Sequence, residues 1–545
     1  MRKPIKIKDP IYGYIEIDDE KVYSIINSSA FHRLQDIIQT SYSSVYPSSL
    51  HNRFIHSIGV YYLGNLALKA IEHNNKDILP NDFESLKDIF LLACLLHDLG
   101  HAPFSHTGEK YYFLKQKDKI PLLRIELQNI VNNDEYSRDD NEMLAGAPHE
   151  LMSALEGLVL FHDYIPDDSK SFFVRCITGL KYKDKTDIRN CLIELLNSKT
   201  IDVDKLDYLI RDSYYTGFKT LNIDYHRLLS AVYIFSDNNS NKSLGFTKAA
   251  LSTLESVILA HDMERKWIQN HPTIQYENQL LNAILQTEID KYNKYGIDLF
   301  SLDSLTEKGS KGKIRICNDK NEEFFLPVEV RLLSDSDIIA FMKNDYNNKL
   351  VQEYFNRALR KKALWKSESE YRILFEQGDL SSAAIERLES KFDSIIKTYT
   401  KSTSLPIIDD NLLNYVNNEI QKIQDTELPQ EIKNAKIKAF SEMKFLLECI
   451  KDFSNRKSYS FEYVLISNKQ FYSSFNKAEL KNIQIKFDNG IVNPLGKSIN
   501  LFEQKEPREK FFYVYVNPND RNDFDVKGFC RVLHNCAFNH FKEPD

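Results

Sequence analysis

The sequence predicts a mainly α protein, a helical core with a small α+β lobe toward its C-terminal end. Three observations support this. The apolar run 89–96 is long enough for about two helical turns and leads directly into His97-Asp98-Leu99-Gly100-His101-Ala102-Pro103-Phe104-Ser105-His106. His56, Val60, Leu63 and Ala67 recur at i, i+4, i+7 and i+11, which is the period of one helix face. Alternating or aromatic runs gather instead near the end, at 460–466, 483–487 and 511–516.

The elements follow in order. Asp9-Pro10-Ile11-Tyr12-Gly13 reads as a short lead-in strand or turn. The helix opened by His51-Asn52-Arg53 turns His56 toward the core, with Arg53 one turn earlier on nearly the same face. Thr200-Ile201-Asp202-Val203-Asp204 starts another helix, with Leu206, Leu209 and Ile210 on its apolar side. Asp204, Lys205, Tyr208 and Asp212 share a sector of about 100° on a 3.6-residue helix. The pattern loosens over 291–345, with an exposed turn at 307–313 before strand-like runs at 313–317 and 323–327. Helices then dominate to 457, and the aromatic runs predict a small antiparallel sheet closed by a helix near 529–535. We expect a catalytic core with its lead-in at 1–290, a helical regulatory or oligomerisation region at 291–457, and the small lobe at 458–545. Twelve of the fourteen histidines lie between His32 and His271, which assigns the chemistry to the first half.

Composition bounds the function. A chain of 545 residues with 71 basic and 78 acidic side chains has net charge −7, which argues against a broadly electropositive nucleic-acid surface but permits a local basic pocket. Seven cysteines without a CxxC pair fit reduced thiols and a cytoplasmic setting. The N-terminal stretch has no apolar signal region, and no apolar run approaches the roughly 18 residues of a membrane span. The basic cluster 357–362 reads either as a solvated helix face or as a nucleotide, nucleic-acid or oligomer contact.

His56, His97-Asp98 and Asp204 reproduce an H…HD…D pattern. With the longer strings HNRFIHSIGV, LLHDLGHAPFSH and IDVDKLDYLIRD, the chain resembles the HD-domain deoxynucleoside triphosphate triphosphohydrolases, both the bacterial dGTPase-like enzymes and the catalytic part of the SAM-and-HD-domain dNTPases. The resemblance implies hydrolysis of a dNTP to deoxynucleoside and inorganic triphosphate. It implies metal ligation by His56, His97, Asp98 and Asp204. It links His106, Glu109, His101 and His149 to catalysis, without saying which histidine donates the proton. Arg53 and Lys205 match phosphate contacts, Gln39 and Asp212 match positions that meet the sugar 3'-hydroxyl, and Tyr208 matches an aromatic lining the sugar. Relatives are commonly homo-oligomers with a nucleotide activator.

The donor set agrees with this from chemistry alone. Two imidazoles and two carboxylates suit Mn, Fe, Zn or Co and leave positions for water and a phosphate oxygen, while Mg would accompany the triphosphate. There are departures. Asn27 and Gln35 stand where the allosteric branch carries an acid and an arginine, so guanine-nucleotide activation is not expected in that form, although Lys366 matches a basic regulatory position and Lys362 stands where an arginine is expected. Ile55 replaces an acidic residue, and His106 and His149 are 43 positions apart, which indicates a surface insertion or a lid. Two other readings stay open: an HD phosphohydrolase acting on a monophosphate, cyclic dinucleotide or alarmone, and a non-catalytic sensor of nucleotides or single-stranded nucleic acid.

Overall fold

A computed structural model describes residues 4–40, 45–112, 119–131, 146–218, 222–317, 323–376, 382–400, 405–427, 429–469, 475, 477–499 and 510–540. The chain is mainly α, as expected, and forms two compact units, each assembled from separate stretches of sequence. One unit takes residues 1–265, 288–341 and 472–505, and the other takes 266–287, 342–471 and 506–545. The three consecutive regions expected from the sequence therefore stand as a proposal about roles beside this interleaved division.

The first unit is built on the helix Arg53–Asn74. Asn52 caps it by accepting the Ile55 N–H, and His56, Val60, Leu63 and Ala67 are all fully buried along it. Packed on it is Phe83–Leu96, whose apolar residues continue the same core and whose end delivers His97. Lys170–Thr178 and Pro148–Leu160 cover the far side of that helix. Val203–Thr216 begins at Asp202, whose carboxylate accepts the Lys205 N–H, and ends at Gly217 with φ +73°. Both termination signals were visible in the sequence, because Asp before an amphipathic run and Gly after it are what such helix ends require.

This unit is not wholly helical after its lead-in, contrary to expectation. The lead-in is a hairpin, Ile5–Asp9 against Gly13–Ile17, and Val232–Ser236 pairs antiparallel with Lys242–Thr247. Gln484–Lys486 adds to Lys242–Thr247 in parallel, with Ile485 opposite Phe246. The run 483–487 is thus a strand, but it does not join the C-terminal sheet. Alternation specifies a strand without specifying its partner, and Ile485 finds its burial against Phe246 instead. The strand-like runs after residue 310 form a hairpin, Ser310–Cys317 with Glu323–Val330.

In the second unit Tyr463–Lys469 pairs antiparallel with Lys510–Val516, and Ile407–Ile408 and Lys362–Ala363 lie at the two edges. Its core aromatics include Trp365, whose indole N–H donates to the Phe512 carbonyl at 2.7 Å. Val526–His540 closes this lobe against Gln430–Lys457. The basic cluster is not a helix face. Arg357–Leu359 is a turn, Arg360 is buried and paired with Glu277 at 3.0 Å, and Lys361 pairs with Glu462 at 2.7 Å. Among the described residues no helix is long and apolar enough to cross a membrane.

Candidate active site

The four expected metal ligands converge. His56 Nε2 lies 3.0 Å from Asp204 Oδ1 and 3.4 Å from Asp98 Oδ2, and His97 Nε2 lies 3.4 Å from both Asp98 Oδ1 and Asp204 Oδ1. Three helices or helix ends contribute to it: Arg53–Asn74, the turn after Phe83–Leu96, and Val203–Thr216. His97 Nδ1 donates to the Cys94 carbonyl at 2.9 Å, leaving its Nε2 buried without a hydrogen-bond partner among the described residues. A buried imidazole nitrogen aimed between two carboxylates, with no proton acceptor or donor satisfied, is what a divalent cation would complete. The donor set fits the metal.

Electrostatics agree. Burial would raise the Asp98 pKa, but Arg53, His97 and His101 hold it well below the usual carboxylate range. Burial opposes charge on His56 as well, yet Asp204 and Asp207 outweigh it and push its pKa up to about 9.

Sequence reasoning missed the residues behind these ligands. Asp207 Oδ2 accepts from His56 Nδ1 at 2.7 Å, orienting the ring so that Nε2 faces the ligand set. Asp207 is itself held by Arg211 Nε and Nη2 at 2.8 and 2.9 Å and by the Tyr12 hydroxyl at 2.7 Å, and Arg211 Nη1 donates to Asp9 at 2.9 Å. The signal was present as Asp207 and Arg211 at i, i+4 in the string already singled out. The lead-in Asp9 and Tyr12 are thus tied to the metal site through one arginine. Space is tight here: a Cβ on Gly59 would lie 2.0 Å from Asp207 Oδ1, and one on Gly100 would lie 2.4 Å from the Ser153 nitrogen. These contacts explain the glycines in HNRFIHSIGV and LLHDLGHAPFSH.

The second expected group also assembles. Glu109, on the helical turn His106–Glu109, accepts from His149 Nδ1 at 2.9 Å through Oε2, while its Oε1 lies 2.8 Å from His101 Nδ1 and 2.9 Å from His106 Nδ1. His101 and His149 stack with ring centroids 4.2 Å apart. His101 Nε2 lies 3.1 Å from Asp98 Oδ1 and joins this cluster to the ligand set. Burial and the nearby Arg53 lower the His101 pKa to about 4, whereas Glu109 overcomes burial and raises that of His149 to about 9. The loop between the two clusters carries Phe104 and Ser105 at φ 60° and 50°, two adjacent non-glycine residues in the left-handed region. That conformation costs ~1–2 kcal/mol per residue and must be held by neighbours.

The remaining candidates are placed unevenly. Arg53 is buried with Nη1 on Asp98 at 2.7 Å and Nε on Ser105 Oγ at 3.0 Å. The Lys205 ammonium, expected to be free for phosphate, is fastened to Asp202 and to the Ser198 carbonyl. Asp212 is bonded to His51 Nε2 at 2.7 Å, and the Gln39 N–H donates to the His51 carbonyl at 3.0 Å, so His51 links the two. The Gln39 side-chain oxygen is buried without a partner among the described residues. Tyr208 is half-buried, its hydroxyl pKa raised by burial and then by Glu264 and Asp204.

Comparison with known proteins locates the same region: a model of the HD domain matches residues 53–165. The chain carries an HD domain. The chain is 33% identical over 233 residues to the deoxynucleoside triphosphate triphosphohydrolase SAMHD1 of Danio rerio, covering 42% of this chain and 36% of that one. It is 28% identical over 300 residues to an uncharacterized protein of Methanocaldococcus jannaschii, covering 55% of this chain and 53% of that one. The chain thus spans about half or less of the length of the curated relatives it matches. Its fold is similar to that of a solved hypothetical protein from Aquifex aeolicus, with a TM-score of 0.55 at 18% identity over 96% of this chain and 99% of that one. The resemblance read from the sequence is borne out by these similarities to the HD domain and to proteins named as dNTP triphosphohydrolases.

Proposed function

We propose that the chain is a metal-dependent dNTP triphosphohydrolase, releasing deoxynucleoside and inorganic triphosphate. The observation that carries this reading is the 3.1 Å contact between Asp98 and His101, which puts a metal-ligand set and a histidine–carboxylate cluster on either side of one carboxylate. The homologue named as a dNTP triphosphohydrolase supports it. Held by His56, His97, Asp98 and Asp204, a Mn, Fe, Zn or Co ion would supply Lewis-acid polarisation and a bound water of lowered pKa, with Mg arriving on the substrate.

The protein's own groups do the rest. Arg53 and Lys205 supply positive charge for phosphate oxygens, each held meanwhile by a carboxylate. Attack of water at the α-phosphorus breaks the bond to the 5'-oxygen, which needs a proton as it leaves. His106 is assigned to deliver it, because its side chain is 70% exposed while that of His149 is 13% exposed and that of His101 is fully buried. Glu109 orients that ring through the 2.9 Å contact with its Nδ1. Tyr208 lines the sugar, and Gln39 and Asp212 meet the 3'-hydroxyl. The buried, unpartnered Gln39 oxygen supports this as an acceptor awaiting a donor. In the cell such an enzyme would trim dNTP pools or deprive an invading phage of precursors, acting as a homo-oligomer.

The test is product analysis with each dNTP and rNTP, singly and mixed, with Mn or Mg. Deoxynucleoside and inorganic triphosphate, lost in Asp204→Ala, are expected, and a requirement for mixtures would reveal a nucleotide activator. Monophosphate products would overturn the proposed cleavage.

A further inference from the structure

We propose that Asp335 is a positioning residue for the catalytic loop, gripping two strands of backbone at once so that His101 and His106 are held beside the metal set. The inference rests on the reading of the 97–109 segment as catalytic. Asp335 is buried, and its two oxygens accept from different segments: Oδ1 from the Phe104 N–H at 2.6 Å and Oδ2 from the Ile38 N–H at 2.9 Å. It is more than 230 positions from Phe104 in the chain, so this is no local helix cap.

The bonds close a ring. The Ser105 hydroxyl donates to the Ile38 carbonyl at 2.6 Å, so both backbone groups of Ile38 are used, one by Asp335 and one by Ser105. Phe104 and Ser105 are the two left-handed residues, and each is fastened by one arm of the ring. Arg53 Nε reaches Ser105 Oγ, and the same guanidinium holds ligand Asp98. From the other side Arg33 donates to the carbonyls of Leu99, His101 and Leu333, tying the segment that bears Asp335 to the same loop. The flanking carboxylate Asp36 accepts from Ser334 and Ser336 and leaves both oxygens of Asp335 to the backbone donors. A carboxylate with two acceptor oxygens suits two N–H donors, and no uncharged side chain of the same volume does. The ring leads through Arg53 to Asp98 and through Arg33 to the His101 backbone, so slackening it should displace the proton-handling histidines without emptying the metal set.

The test uses the full chain with Asp335→Asn and Asp335→Ala. Asparagine keeps the volume but turns an NH2 toward one of the two N–H donors. Four quantities are measured: kcat and KM for a dNTP, metal content, hydrogen exchange over 99–106, and exchange over Val203–Thr216. Both variants should lower kcat by about 30-fold or more with KM changed less than about threefold, the cost of a loop displaced by about 1 Å. Metal content should match the unsubstituted protein, and exchange over 99–106 should rise about tenfold while Val203–Thr216 stays protected. A kcat within about twofold, or loss of metal with exchange rising everywhere, would overturn the assignment. If the unsubstituted protein turns over no dNTP, the proposed reaction fails, but exchange still decides: unchanged protection of 99–106 in both variants overturns the positioning role.

Discussion

Asp98 Oδ1 lies 3.1 Å from His101 Nε2 while Asp98 Oδ2 accepts from Arg53 at 2.7 Å, so a single carboxylate belongs to the ligand set, the histidine cluster and the cationic group at once. Asp98→Ala should therefore abolish activity by about 1,000-fold or more and also empty the metal site, because it removes a ligand and frees a buried arginine. Elemental analysis beside kinetics checks this, and retained metal with lost activity would contradict it.

The Asp207 carboxylate touches no substrate position but orients His56. Asp207→Ala should weaken metal affinity by about 10- to 100-fold, as losses behind a ligand histidine do. It should also cost stability of about 3–5 kcal/mol, since Arg211 is left buried and half-paired. Metal titration and thermal unfolding of the metal-free protein separate the two effects.

Gly59→Ala tests the same place by sterics alone. With its Cβ 2.0 Å from Asp207 Oδ1, the variant must push that carboxylate off His56 and should lose about 2 kcal/mol or more together with metal affinity. An alanine variant of normal stability and metal content would show that the Asp207 carboxylate can move aside without loss.

Glu156 is fully buried, its oxygens have no hydrogen-bond partner among the described residues, and burial raises its pKa to about 8 against an opposing effect of Arg33. The sign follows. Between the ordinary carboxyl value and about 8 the native state keeps a proton that the unfolded chain has lost, so stability falls as pH rises through that window, by at most ~1.4 kcal/mol per pH unit from this group. Glu156→Gln should flatten the slope and raise the melting temperature at pH 8 and above. Superimposable stability–pH curves for the two proteins would refute it.

His51 bonds to Asp212 and, through its backbone, to Gln39. His51→Ala and Asp212→Ala should lower kcat/KM for a dNTP by similar factors, and the double variant should be little worse than either, because the two act as one unit. Independent, additive losses would separate them.

The candidate ligands His56 and Asp204 were legible because each lies at a helical spacing from another candidate residue, Arg53 and His56 three apart and Asp204 and Tyr208 four apart, while His97 and Asp98 were legible as the polar end of an apolar run. The groups that hold the ligands were harder to find. Asp207 and Arg211 stand at i, i+4, a spacing as common on a surface helix as in a core, and only burial reveals them as the support for His56. Asp335 and Arg33 act across the fold on backbone groups, which carry no sequence signal. The Lys205 ammonium was assigned by its neighbour Asp204, but a lysine side chain is long enough to turn back to Asp202. In the sheets, alternation marked the strand at 483–487 and gave no information on which edge it would seek.

That misplaced strand has a consequence for synthesis. Gln484–Lys486 covers the edge of Lys242–Thr247, and the backbone oxygen of Gln484 comes so close to Gly245 that a Cβ there would lie 2.4 Å from it. On the ribosome the entire HD motif emerges long before this covering strand does. A nascent chain would carry its metal-binding residues while still exposing an unpaired β-edge, a state open to aggregation. Competence of the first unit is thereby deferred until residue 486 has been translated, more than 230 positions after the last residue of Lys242–Thr247.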